Sequence, residues 1–144
     1  MIKFFAPLVG AVFALASMVP AQGWVVTPYG PSCGPVATGM VTPQGNTHRF
    51  SFTVSNAQPR STVLLIVGAT ETNVPINFGH NCTLLTELYF TQTHRTDTSG
   101  SYTWSHALPS PFRGPGRIQF AEVIFTANGE LNVRTSNACY MRFE

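Results

Sequence analysis

The chain has 144 residues, of which 10% are charged, against about 25% in an ordinary globular protein. Lys3 is the only lysine, so beyond the first residues seven arginines face six carboxylates. That balance supplies neither the basic stripe of a nucleic-acid binder nor an acidic tail for a cationic partner, and the patterned Val, Ile, Leu and Phe blocks exclude a disordered chain.

In chain order, Met1-Ile2-Lys3 gives a short positive start, Phe4 to Met18 is apolar, and Val19-Pro20-Ala21 ends the run. This is the layout of a secretory signal peptide over residues 1–21, helical in its apolar part, with cleavage after Ala21. The run is shorter than the ~20 residues a spanning helix needs, and no second run follows, so no membrane span is expected in the mature chain. Residues 22–144 are then expected as one domain, secreted or held at the cell surface.

Period-two alternation dominates residues 22–144. Phe50, Phe52 and Val54 share one face of a strand, with Arg49, Ser51 and Thr53 on the other. Val63 to Val67 is a short apolar run stopped by Gly68, as in a strand buried on both faces. Leu84, Leu88 and Phe90 share a face over residues 83–91, and Tyr102 and Trp104 alternate with Ser101, Thr103 and Ser105. From Ile118 the pattern changes phase: Ile118 and Phe120 take one face, Val123 and Phe125 the other. A β-bulge near Ala121-Glu122, or burial on both faces, accounts for this. Asn128-Gly129 suits a type I′ hairpin turn, after which Leu131 and Val133 resume alternation, and residues 138–143 form a last strand. Turn signals lie at Thr27 to Pro31, Pro43 to Asn46, Asn56 to Pro59, Asp97 to Gly100 and Gly114 to Gly116. No amphipathic helix is available for crossovers. The expected fold is all-β: a two-sheet antiparallel β-sandwich of about eight strands with Greek-key or jelly-roll connections. Its core is expected to contain Phe50, Phe52, Val54, Leu64, Ile66, Leu84, Leu88, Phe90, Ile118, Phe120, Val123 and Phe125.

Cys33, Cys82 and Cys139 are an odd set, so at most one internal bridge forms and one thiol is left over; their spacing alone leaves the pairing open.

Several short motifs occur in a familiar order. Tyr29-Gly30-Pro31-Ser32-Cys33-Gly34 opens the domain, and Ser61 to Gly68 supplies a strand of the type "s.v.LllG". Asn81-Cys82-Thr83-Leu84 gives a "gC.L" element, Asp97 to Gly100 a "tD.aG" turn, and Ala107-Leu108-Pro109 an "iP" segment. Ile118 to Glu122 stands where an aromatic strand belongs, and Ser136-Asn137 precedes the last strand. Together these resemble a group of uncharacterised secreted β-sandwich domains abundant in planctomycetes and other large-genome bacteria. The resemblance covers most of residues 22–144 and implies an extracytoplasmic sandwich, without catalytic residues to carry over. It also implies a Cys33–Cys82 bridge. Cys139 departs from the pattern and keeps a first-to-last-strand bridge open.

Candidate chemistry is sparse. His48, His80, His94 and His106 lie on separate segments without metal-ligand spacing, so no metal or cofactor is expected. No serine sits in a Gly-x-Ser-x-Gly elbow, and Cys139 reads as buried or bridged rather than nucleophilic. Glu71, Glu87, Asp97, Glu122 and Glu130 are the internal acids; Glu87 and Glu122 fall in expected strands, where a hydrolase would need them face to face. Asp97 reads as a turn former. Arg113 and Arg117 flank a Gly-Pro-Gly turn, either as an anion site or as a solvated loop. Asn81-Cys82-Thr83 is a glycosylation acceptor of consequence only in a eukaryotic host. Trp24, Tyr29, Tyr89, Tyr102, Trp104, Phe112 and Tyr140 are many rings for so little charge. The expected function is a secreted, non-enzymatic structural or interaction domain of the bacterial exterior. The alternative is a carbohydrate-binding module using exposed Trp24, Tyr102 and Trp104, with a glycan or another surface protein as partner.

Overall fold

The computed structural model describes residues 23–109 and 114–144. The signal-peptide segment, Phe112 and Arg113 lie outside the described residues.

Ten strands are present among the described residues: β1 Trp24–Tyr29, β2 Val36–Gln44, β3 Thr47–Ser55, β4 Thr62–Gly68, β5 Glu71–Asn77, β6 Asn81–Thr86, β7 Phe90–Arg95, β8 Tyr102–Pro109, β9 Gly116–Phe125 and β10 Leu131–Phe143. Eight of them build two antiparallel sheets, ordered β1-β10-β9-β4-β7 and β2-β3-β8. β3 pairs with β8 while β4 pairs with β7, so one paired ribbon passes from sheet to sheet, the connection habit of a jelly roll. The remaining two strands, β5 and β6, pair only with each other.

Alternation decides which side chains meet between the sheets. Phe50, Phe52 and Val54 from β3 face Val63 and Leu65 from β4, Ile118 and Phe120 from β9, and Cys139 and Met141 from β10. The three phenylalanines are fully buried, each stabilising the fold by about 1.5–3 kcal/mol relative to an exposed ring. The run over residues 63–67 is enclosed on both sides: Val63 and Leu65 point into the core and Ile66 is buried opposite them.

The phase change in β9 has a specific origin. The β5–β6 hairpin lies over the outer surface of the larger sheet. Gln119 is fully buried beneath it, accepting from Leu85 N at 2.9 Å and donating to the Thr83 carbonyl at 2.9 Å. Its third bond, a donation to the Ser136 carbonyl at 2.8 Å, uses the remaining amide N–H. The bulge belongs to the partner strand rather than to Ala121-Glu122. The register shifts between Thr135 and Ala138 of β10, leaving Ser136 and Asn137 opposite Phe120. Phe120 N donates to Ser136 Oγ at 3.0 Å, which restores the ladder bond the bulge removes. Ser136-Asn137 therefore lies inside the last strand, not before it.

Six core expectations change. Leu88 and Phe90 are 64% and 50% exposed, because the chain over residues 83–91 is not one strand: it leaves β6 at Thr86 and starts β7 at Phe90 on the sheet edge. Leu85, not Leu84, is the buried member of that segment. Phe125 is 71% exposed, beyond the reach of the opposite sheet, where it pairs with Leu131 at the start of the distal hairpin. Leu64 and Val123 are half-buried.

The distal hairpin is also not a two-residue type I′ loop. Gly129 N donates to the Thr126 carbonyl at 2.9 Å, Thr126 N to the Glu130 carbonyl at 2.9 Å, and of the two turn residues only Gly129 has positive φ. This is a three-residue loop closed by a glycine bulge. Asp97 to Ser101 repeats it. Asp97 Oδ1 accepts from Ser99 N at 2.9 Å and Ser101 N at 3.0 Å, the turn-forming role its side chain suggests.

A Cys33–Cys82 disulfide ties the β1–β2 connection to β6, and Cys139 is a free, buried thiol. A disulfide is consistent with an extracytoplasmic location. Among the described residues no helix is long and apolar enough to cross a membrane.

Candidate functional site

The residues singled out by chemistry go to separate places. Trp24 packs edge-on against Phe50, with ring centroids 4.9 Å apart. Trp104 lies 6.2 Å from Phe52 and stacks on His106, while Tyr102 stacks on His94 at 4.2 Å. All three rings are half-buried at the margin of the core, so they do not form an exposed coplanar platform. The cause is strand parity: β8 turns Tyr102, Trp104 and Leu108 toward the opposite sheet.

The carboxylates are committed elsewhere. Glu122 is fully buried and pairs with Arg134 across β9 and β10, Nη2 at 2.6 Å and Nε at 2.8 Å. Its other oxygen accepts from Gln58 N and, at 3.1 Å, from Ser61 Oγ. Glu87 accepts from Ala69 N at 2.9 Å and Thr70 N at 3.2 Å, and these backbone bonds hold its carboxyl below the usual range. Both therefore act as structural acceptors. Among the described residues no group of three His, Cys, Asp or Glu can hold a metal ion.

One cleft brings polar groups together around a cation whose own pairing is loose. Register places Thr27 of β1, Tyr140 of β10, Arg117 of β9 and Gly68 of β4 in one row across the outer face of the larger sheet. Tyr29 and Arg142 lie two residues along on that face. Gly68 gives the row no side chain beside Arg117; a Cβ there would stand 2.6 Å from the Glu87 carbonyl oxygen. Glu71, at the start of β5, closes the row from the hairpin side. The resulting cavity has a volume of about 410 Å³, lined by Thr27, Tyr29, Glu71, Arg117, Tyr140 and Arg142.

Arg117 is the centre of this cleft. Its guanidinium carbon lies 4.2 Å from the Tyr140 ring centroid and 5.5 Å from that of Tyr29, both within cation–π range. Its side chain is only 17% exposed. Nε and Nη1 are buried without a hydrogen-bond partner among the described residues, and Nη2 reaches Glu71 Oε2 only at 3.9 Å. Buried donors are normally satisfied, so Nε and Nη1 rely on the Tyr140 and Tyr29 ring contacts, and Nη2, poorly paired with Glu71, is the donor with room for a better acceptor. Tyr29 is fixed by donation to the Leu85 carbonyl at 3.0 Å, and burial pushes its phenol up from the ordinary value. Arg142 is paired with Glu144 on the rim.

The sequence offers Arg117 as half of an anion site, and Tyr29, Tyr140 and Glu71 as unconnected residues. Nothing in the linear order unites them, because β1, β5, β9 and β10 meet only through sheet pairing and the folded-over hairpin.

Comparison of the chain with family models, with curated proteins and with solved structures finds no match.

Proposed function

We propose that this chain is a secreted, non-enzymatic interaction domain of the bacterial exterior whose contact surface is the Arg117 cleft. The observation that carries this reading is the guanidinium packed over two tyrosine rings with Nε and Nη1 unpaired among the described residues. The signal-type leader, the Cys33–Cys82 bridge and the resemblance to secreted planctomycete sandwich domains support the compartment. The structural roles of Glu87 and Glu122 support a binding rather than a hydrolytic role.

Co-sedimentation of the mature chain with planctomycete envelope fragments tests this. Binding is expected, and Arg117→Ala is expected to abolish it while leaving a cooperative melt. Binding that ignores Arg117→Ala removes the cleft from the reading. Turnover on a polysaccharide or ester panel that disappears with Glu87→Gln or Glu122→Gln overturns the non-enzymatic assignment.

A further inference from the structure

We infer that the Arg117 cleft takes the carboxylate of an acidic sugar, and that Glu71 is a built-in competitor for the same guanidinium. This rests on the binding role proposed above for the cleft. The lining consists of two phenols, a threonine hydroxyl, two guanidiniums and one carboxylate, with no aliphatic side chain. Such a wall offers nothing to an acyl chain or an apolar peptide side chain. It suits a ligand that carries both a negative charge and many hydroxyls.

The charge arrangement sets up a competition. Arg142 is neutralised by Glu144, so Arg117 and Glu71 decide the field inside the cleft. Their separation of 3.9 Å is too long for a hydrogen bond, and the Glu71 side chain is 62% exposed. An exposed, poorly formed pair is weakly held and easily exchanged. A carboxylate entering beside the Tyr140 ring can hydrogen-bond Nη2 at normal length and displace Glu71 toward water. The volume of about 410 Å³ falls within the usual range for small-ligand sites. The tyrosines hold the guanidinium in place beforehand, so little side-chain freedom is lost on binding.

Titration calorimetry with tri-galacturonate, its methyl ester and inorganic sulfate tests the inference. Tri-galacturonate is expected to bind and the neutral ester not to. Arg117→Gln is expected to weaken binding about 10- to 100-fold, as loss of a charged hydrogen bond does. Glu71→Gln is expected to tighten it about 2- to 5-fold, most clearly at low salt. Equal affinity for the methyl ester would show that charge is not read. Sulfate binding as tightly as the trisaccharide would leave an anion hole with no sugar specificity. Weaker binding by Glu71→Gln would make Glu71 a contact instead of a competitor. If none of the three probes binds while envelope co-sedimentation still depends on Arg117, the ligand class is wrong and the interaction reading stands. Failure of both experiments removes both.

Discussion

Asn137 pairs with the backbone of Ala37 across the gap between the two sheets. Its Oδ1 accepts from Ala37 N at 2.9 Å and its Nδ2 donates to the Ala37 carbonyl at 3.0 Å. The side chain thus serves β2 as a substitute strand neighbour, delivered from the bulge in β10. The Ser136-Asn137 pair has a physical reason to be there: the serine repairs the ladder on one side of the bulge, and the asparagine clamps the opposite sheet on the other.

Replacing Asn137 with Ala leaves the buried Ala37 N–H without a partner and the Ala37 carbonyl with only the weak Cys139 Sγ donor at 3.7 Å. An orphaned buried group costs about 1–3 kcal/mol, so a loss of about 1–3 kcal/mol in urea unfolding is expected. Asn137→Asp keeps the acceptor but buries a charge and is expected to be no better than the alanine variant. A stability change below about 0.5 kcal/mol for Asn137→Ala would refute the clamp.

Gln119 holds the β5–β6 hairpin to the sheet, and Gln119→Leu strips three buried hydrogen bonds at once. Amide exchange should accelerate first over residues 71–86, with β3 and β8 little changed. Uniform acceleration across all strands would mean that the glutamine supports the sandwich as a whole and not the hairpin.

Cys139 is fully buried, and burial pushes its thiol up to about 11. Native protein at pH 8 should therefore resist iodoacetamide, and denatured but unreduced protein should take up one label per chain. Rapid labelling of the native form would contradict the burial.

Asp97 offers a pH signature. Backbone donation from Ser101, then the Ser99 hydroxyl, holds its carboxyl below the ordinary value. The folded value is the lower one, so this contribution is whole above the unfolded carboxylate pKa and is lost as pH falls through the folded one. Acid titration of stability should be shallower in Asp97→Asn than in the parent, with the two curves parallel at neutral pH. Identical slopes through the acid limb would remove Asp97 from the linkage.

Strand parity makes much of the fold legible in sequence. The faces of Phe50, Phe52 and Val54 and the double burial of residues 63–67 follow from spacing alone, because a period of two leaves a side chain only two directions. The β5–β6 hairpin is not legible. Val74-Pro75-Ile76 puts a proline inside the strand, which demotes a sequence run, and the pairing tolerates it at an unshared edge. Without that hairpin, β6 merges with β7 and Leu88 and Phe90 are drawn into the expected core. The Arg117 cleft stays hidden for the same reason. Glu71 reaches Arg117 only because the hairpin folds back over β9, and no local pattern encodes that return.

β4 and β7 are immediate neighbours in the larger sheet, yet the whole β5–β6 excursion lies between them in the chain. Its two ends leave and rejoin the sandwich side by side. Away from the Cys82 bridge and the Thr83 and Leu85 anchors of Gln119, length and sequence there can therefore drift without disturbing a single pairing of the two main sheets. A substitution at position 71 would therefore change the wall opposite Arg117 while every strand pairing of the scaffold stays as it is.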